Sequence, residues 1–237
     1  RKAEAELHSA HEQMRIAREI QQRLFPKEAP RIKGYELAGL TESAEETAGD
    51  YYDFIPMPNN CIGLVVGDVT GHGIGPALLM AETRAYLRIL AGENSDVGRI
   101  LTRANRVLNE DIGTEHFVTL LFVMLDPRAR TIRYASAGHP PGLWLDRKGK
   151  PKPELLRTGI PLGLRPDTEY EASEEVLLKK GDLLALMTDG VEESISTQGE
   201  LFGKKRIMQV LVDKQSARAS KIVAHLHQAG RAHEAAD

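Results

Sequence analysis

The sequence predicts an α+β fold, a sandwich with helices lying outside antiparallel sheets. Three observations point that way. Short apolar runs rich in β-branched and aromatic residues recur along the chain, bounded by Gly, Pro, Asn and Asp, as strands are. Helical patterns come in pairs, giving the order strands, two helices, strands, helices; a doubly wound parallel sheet would alternate them singly. Pro58-Asn59-Asn60 and Asp126-Pro127-Arg128 read as tight turns between neighbouring strands.

The first stretch, Arg1 to about Phe25, reads as one helix, rich in Ala, Glu, Gln and Arg and free of Gly and Pro until Pro26. Leu7, Met14 and Gln21 repeat at seven, with Ala3, Ala10, Ala17 and Leu24 as the complementary row. Two readings stay open: a helix lying on its own domain, or a short parallel coiled coil that continues from an upstream sensor and pairs two copies. Pro26–Gly34 is a linker. Strands are expected over Tyr35–Leu40, Tyr51–Pro56, Cys61–Val66, Val118–Asp126 and Thr131–Ala135. Between them, one helix follows Gly73 and runs to about Leu90, and a second runs from an Asp96 cap to Leu108. Strands return near Gly142–Leu145, Tyr170–Leu178 and Asp182–Met187, and helices over about Lys204–Val212 and Ala217–Gly230 close the chain.

With 237 residues, the chain suits one large domain or one domain with an appendage. A net charge of -3 supplies no basic field to hold nucleic acid. Runs such as Val118–Leu125 are too short to span a bilayer. The only cysteine is Cys61, which excludes a disulfide framework and a cysteine zinc site within one chain and fits a reducing cytoplasm. The first residue is Arg1, so the chain is read as an excerpt of something longer.

Three segments share one design. Asp50 lies in Ala48–Phe54, Asp68 in Val65–Gly73 and Asp189 in Leu186–Val191, each a carboxylate beside Gly at or near the end of an apolar strand. A buried carboxylate needs a cation, a charge partner or several hydrogen bonds. Hard oxygen ligands without Cys or a His pair suit Mg²⁺ or Mn²⁺, and two such ions can activate a water. Each segment alone reads as an ordinary turn; the conjunction and its order carry the signal. Gly71–Gly75 lacks the Lys-Ser/Thr ending of a phosphate-binding P-loop.

These runs also occur with Pro76–Met80, Ala137-Gly138-His139-Pro140-Pro141, Gly159–Gly163, Thr188–Glu193 and Leu201-Phe202-Gly203. Together they resemble the bacterial branch of the metal-dependent protein phosphatases, the protein phosphatase 2C superfamily in its sporulation-stage-II-E-like and stress-regulator subgroup. The resemblance implies a four-layer α-β-β-α sandwich over residues 31–237, preceded by a linker helix over 1–30. It implies two Mg²⁺ or Mn²⁺ ions, with Asp68 bridging both, Asp50 and the Val69 carbonyl on one, and Asp189 on the other. Asp53 is a ligand of the outer shell or an alternative one. The family's closing Asp-Asp-Ile-Thr-like strand is missing here, and Asp237 stands about where its first carboxylate belongs. His72 and His139 are expected to shape loops, with contact to phosphate or a leaving group as the sharper reading. Arg84 and Arg88, one turn apart, are expected on a solvated helix face.

The implied activity is hydrolysis of a phosphoserine or phosphothreonine on a protein, of the anti-sigma-factor-antagonist type, in the cytoplasm. An upstream sensor or receiver domain, a homodimer through the N-terminal helix, and no nucleic acid or membrane contact complete the expectation. Competing classes are a catalytically silent phosphatase-like switch that binds a partner and a hydrolase of small phosphoesters.

Overall fold

The computed structural model describes residues 12, 14–41, 49–113 and 115–235. Asp237 and the first heptads of the N-terminal helix lie outside the described residues. The helix described there, α1, covers residues 14–22.

The larger sheet is an antiparallel meander in the order β1-β2-β3-β4-β6. Its strands are β1 (Tyr51–Pro56), β2 (Ile62–Val69), β3 (Val118–Asp126), β4 (Thr131–Ala137) and β6 (Val176–Leu177). The smaller sheet pairs β5 (Leu143–Leu145) with β7 (Leu183–Ala185). Asn59 and Asn60 adopt left-handed backbone in the β1–β2 turn, which Asn tolerates best among side-chain-bearing residues. At the β3–β4 turn, Asp126 accepts from the backbone of Arg128 and Ala129.

Side-chain alternation sorts the apolar residues into three cores and so into four layers. On one face of the large sheet, Ile55, Val65, Leu120 and Phe122 pack under α2 (Ile74–Glu93) and α3 (Val97–Asp111). Asp96 caps α3 by accepting from Gly98 and Arg99. That helix buries Ile100, Leu101 and Leu108 completely, each contributing about 1.5–3 kcal/mol. Leu121, Val123 and Leu125 point the other way and meet Trp144, Leu184 and Leu186 between the sheets. The far face of the small sheet, with Leu143, Leu145, Leu183 and Ala185, packs against α4 (Gly203–Lys214) and α5 (Ala219–Glu234). β3 is thus buried on both faces, which is why it reads as a nearly unbroken apolar run.

Two expected strands are largely absent. Over Tyr35–Leu40 there is only a bridge between Ile32 and Tyr35. Gly39 instead lies under the Tyr52 ring, so close that a Cβ there would collide with it, and its carbonyl accepts from the Tyr52 hydroxyl at 3.4 Å. Over Tyr170–Leu178 only Val176–Leu177 pairs. The Tyr170 amide donates to Thr102 Oγ1 on α3 at 2.9 Å, and its hydroxyl to the Ile160 carbonyl at 2.8 Å, so side chains and loops take the bonds that a ladder would have used. No helix among the described residues is long and apolar enough to cross a membrane.

Candidate metal and catalytic site

Strand parity brings Asp50 and Asp68 to one place. Tyr51 pairs with Gly67, and the Val69 amide donates to the Gly49 carbonyl at 3.3 Å, so Asp50 and Asp68 stand opposite each other where the β1–β2 ladder ends. Asp68 shares its face with Leu64 and Val66, the face that looks toward the small sheet. Asp189 begins the single 3₁₀ turn Asp189–Val191, which follows β7. The Thr188 side chain lies near enough to the Asp50 carboxylate to oppose the rise in its pKa, which brings the two sheets together at this end.

Asp68 feels both other carboxylates, and Asp50 feels Asp189. Burial, with the charges of Asp50 and Asp189, pushes Asp68 up to about 7. Asp50 is raised too, first by burial and then by Asp189. No lysine or arginine pairs with any of the three among the described residues. Nor do three acidic, histidine or cysteine side chains there stand close enough together to hold a metal ion as they are placed. Gly49 leaves room at the centre: a Cβ there would collide with the Val69 carbonyl oxygen and stand 2.8 Å from Asp68 Oδ1. Crowded hard oxygens, carboxylates held toward protonation and a cradle that a side chain would fill together fit a divalent cation.

The loop after β2 is built from glycines. Gly71 and Gly73 have φ of 92° and 94°, and Gly73 leads into α2. Thr70 and Phe117 exchange hydrogen bonds, and His116 Nδ1 donates to the Thr70 carbonyl at 3.1 Å. His72 is exposed on this loop. Met14 of α1 reaches it, its methyl 3.7 Å from a Cβ built on Gly73.

Asp53 does not join the cluster. It faces α2, buried, with Arg88 donating two hydrogen bonds of 2.6 Å and the Tyr51 hydroxyl one of 2.9 Å. Arg84 Nε stands 3.6 Å away. The expectation of an outer-shell ligand, and of Arg84 and Arg88 on a solvated face, gives way to an ion pair between β1 and α2. Tyr51 turns toward that pair and Tyr52 away from it, onto Phe25 in a stack with centroids 5.7 Å apart.

His139 is fully buried. Its Nε2 lies 3.1 Å from the Met187 carbonyl and must donate, so Nδ1 accepts from the Thr119 hydroxyl at 2.9 Å. Burial is the main cause that lowers it to about 4, with Arg157 adding to the effect, and keeps it neutral. Thr119 pairs with Asp68 across β2 and β3. The sequence reading missed Thr119 and Thr188 as contributors, although Thr119 is the one polar residue inside the apolar run of β3.

Comparison with known proteins decides the family. The family model described as Stage II sporulation protein E (SpoIIE) matches residues 58–237, well over half the chain. The chain belongs to the SpoIIE family. Among relatives of this SpoIIE-type domain, phosphoserine phosphatase RsbU of Bacillus subtilis (strain 168) is 28% identical over 202 residues, covering 85% of this chain. The chain spans 59% of RsbU's own length. The SiaA-PP2C domain of Pseudomonas aeruginosa shares the fold, with a TM-score of 0.83 at 20% identity over 97% of this chain and 92% of that one. So does RsbX, solved in complex with magnesium, with a TM-score of 0.61 at 16% identity over 84% and 87% of the two chains. The SpoIIE-type domain thus shares its fold with solved domains of the protein phosphatase 2C kind, the fold its motifs implied.

Proposed function

We propose that this chain is a divalent-metal-dependent serine/threonine protein phosphatase domain acting in sigma-factor regulation. One observation carries the reading: Asp50 and Asp68 stand opposite each other at the end of the β1–β2 ladder and both feel the charge of Asp189, with Asp68 pushed up to about 7. The likeness to RsbU, a phosphoserine phosphatase, supports phosphoserine as the substrate, and the likeness to RsbX, crystallised with magnesium, supports that ion. Asp68 would hold both of two Mg²⁺ or Mn²⁺ ions, Asp50 and the Val69 carbonyl one of them, and Asp189 the other. Asp237 is kept as a further ligand. The ions, when bound, supply an activated water and neutralise charge on the phosphoryl oxygens. Thr188 orients Asp50, and Gly49 leaves the space that the Asp68 and Val69 oxygens share. The protein substrate is read as an anti-sigma-factor antagonist, and the site of action as the cytoplasm.

The test is phosphate release from a phosphoserine peptide and from an aryl phosphate with and without Mn²⁺. Asp68→Asn should lower the Mn²⁺-dependent rate by at least about 100-fold, since a bridging charge is lost. Full activity in that variant would sink the assignment. Mn²⁺ binding without turnover of either substrate would favour the silent-switch reading instead.

A further inference from the structure

We propose that His139 is a positioning residue that holds the two halves of the site in register. The proposal rests on the reading that Asp68 and Asp189 serve one metal centre. These carboxylates come from different layers: Asp68 from the large sheet, and Asp189 from the turn that follows the small sheet. His139 sits between them and touches neither. One ring nitrogen takes the hydroxyl of Thr119, the cross-strand partner of Asp68, and the other donates to the carbonyl of Met187, two residues before Asp189. Both bonds are of ordinary length, and the ring is fully buried, so its position is set.

The ring is itself braced from behind. Arg157 Nε donates to the His139 carbonyl at 3.2 Å, and the preceding Gly138, at φ 69°, lies so close to Pro161 that a Cβ would stand 2.5 Å from Pro161 Cγ. The Gly138 amide also donates to the Gly159 carbonyl at 2.9 Å. Two glycine- and proline-rich segments that lie apart in sequence therefore lock together behind the imidazole. The arrangement transmits the spacing of the sheets to the spacing of the carboxylates. Without it, the link between Asp68 and Asp189 falls to Asp50 and Thr188.

The test is Mn²⁺ affinity, measured by titration calorimetry on the full-length protein, alongside the melting temperature in EDTA. Thr119→Val removes one hydroxyl and keeps the β-branched shape; His139→Ala removes the brace, and His139→Gln restores a donor toward Met187. We expect Thr119→Val and His139→Ala each to weaken Mn²⁺ binding by about tenfold or more, as loss of outer-shell support does, with partial recovery in His139→Gln. The phosphatase rate of Thr119→Val should return toward wild type at saturating Mn²⁺. Unchanged affinity in Thr119→Val overturns the proposal, and that variant decides the matter if His139→Ala does not fold. A wild-type protein that binds no Mn²⁺ would sink the metal reading and this proposal with it, whereas a wild type that binds beside variants that bind equally sinks this proposal alone.

Discussion

Asp68 and His139 are driven in opposite directions by the same loss of water. Burial favours the neutral form of each, raising the carboxyl from 3.8 to about 7 and lowering the imidazole from 6.5 to about 4. The consequences for stability oppose each other. Between about 4 and 6.5 the unfolded chain protonates His139 and the folded chain does not, so this group destabilises the fold as pH falls through that window. Between 3.8 and about 7 the folded chain keeps a proton on Asp68 that the unfolded chain releases, so this group destabilises the fold as pH rises. In EDTA, Asp68→Asn should therefore lose melting temperature more steeply than wild type between about pH 6.5 and 4.5; equal slopes would mean that Asp68 is ionised throughout. Gly49→Ala tests the cradle itself. The added methyl would collide with the Val69 carbonyl, so Mn²⁺ affinity should fall at least about tenfold by calorimetry, the loss expected when a ligand is displaced. At this scale the sequence was legible where a residue type is chemically costly. Three aspartates beside glycines announced themselves, whereas Thr119 and Thr188 act through single hydroxyls that a strand or turn accommodates without any ligand.

At the scale of elements, β1 and α2 are joined by Asp53 and two arginines, of which Arg88 makes the tight pair. The Asp53 side chain is fully buried and the Arg88 side chain 37% exposed. Arg88→Ala leaves a carboxylate in the core with Tyr51, a backbone amide and, at 3.6 Å, Arg84 for company. We expect a loss of about 2–3 kcal/mol in urea unfolding, less than for a fully buried pair because Arg88 is partly solvated. Asp53→Asn in the same background should recover part of it, since the stranded charge is gone. A loss under about 0.5 kcal/mol would class the pair with surface ion pairs. Pattern made β1, β3, α2 and α3 legible to within a few residues, because β3 is an almost unbroken apolar run, β1 is rich in aromatic residues, and the helices repeat apolar residues at helical spacing. It overreached at Tyr35–Leu40 and Tyr170–Leu178, where aromatic residues look like strand but anchor loops. It also left Arg84 and Arg88 in solvent, because helical spacing gives which face they share and not what a neighbouring strand buries beneath it.

Across the whole molecule, a sandwich with helices outside antiparallel sheets was readable from how strands and helices alternate, and its four layers from the family resemblance. The spacing of the layers was not, because it depends on which side chains fill the inter-sheet core. The N-terminal helix belongs to this scale as well. Residues 14–22 run up to Leu24 and Phe25, which pack against the main core, and Met14 lies beside Gly73 of the loop after Asp68. Ile16 and Ile20 stay exposed on α1. A chain beginning after Pro26 should sediment as a lighter species than one that includes this helix; identical sedimentation would count against pairing through it. The small sheet has one further consequence. Asp50 and Asp68 hang from a meander of five strands, and Asp189 follows a ladder of only three residue pairs, Leu143 to Ala185 through Leu145 to Leu183. Such a short ladder opens more often than a long one. An ion clasped between the two would then leave when the short ladder opens, and its residence time would be timed by a local unfolding event instead of by the strength of any carboxylate bond.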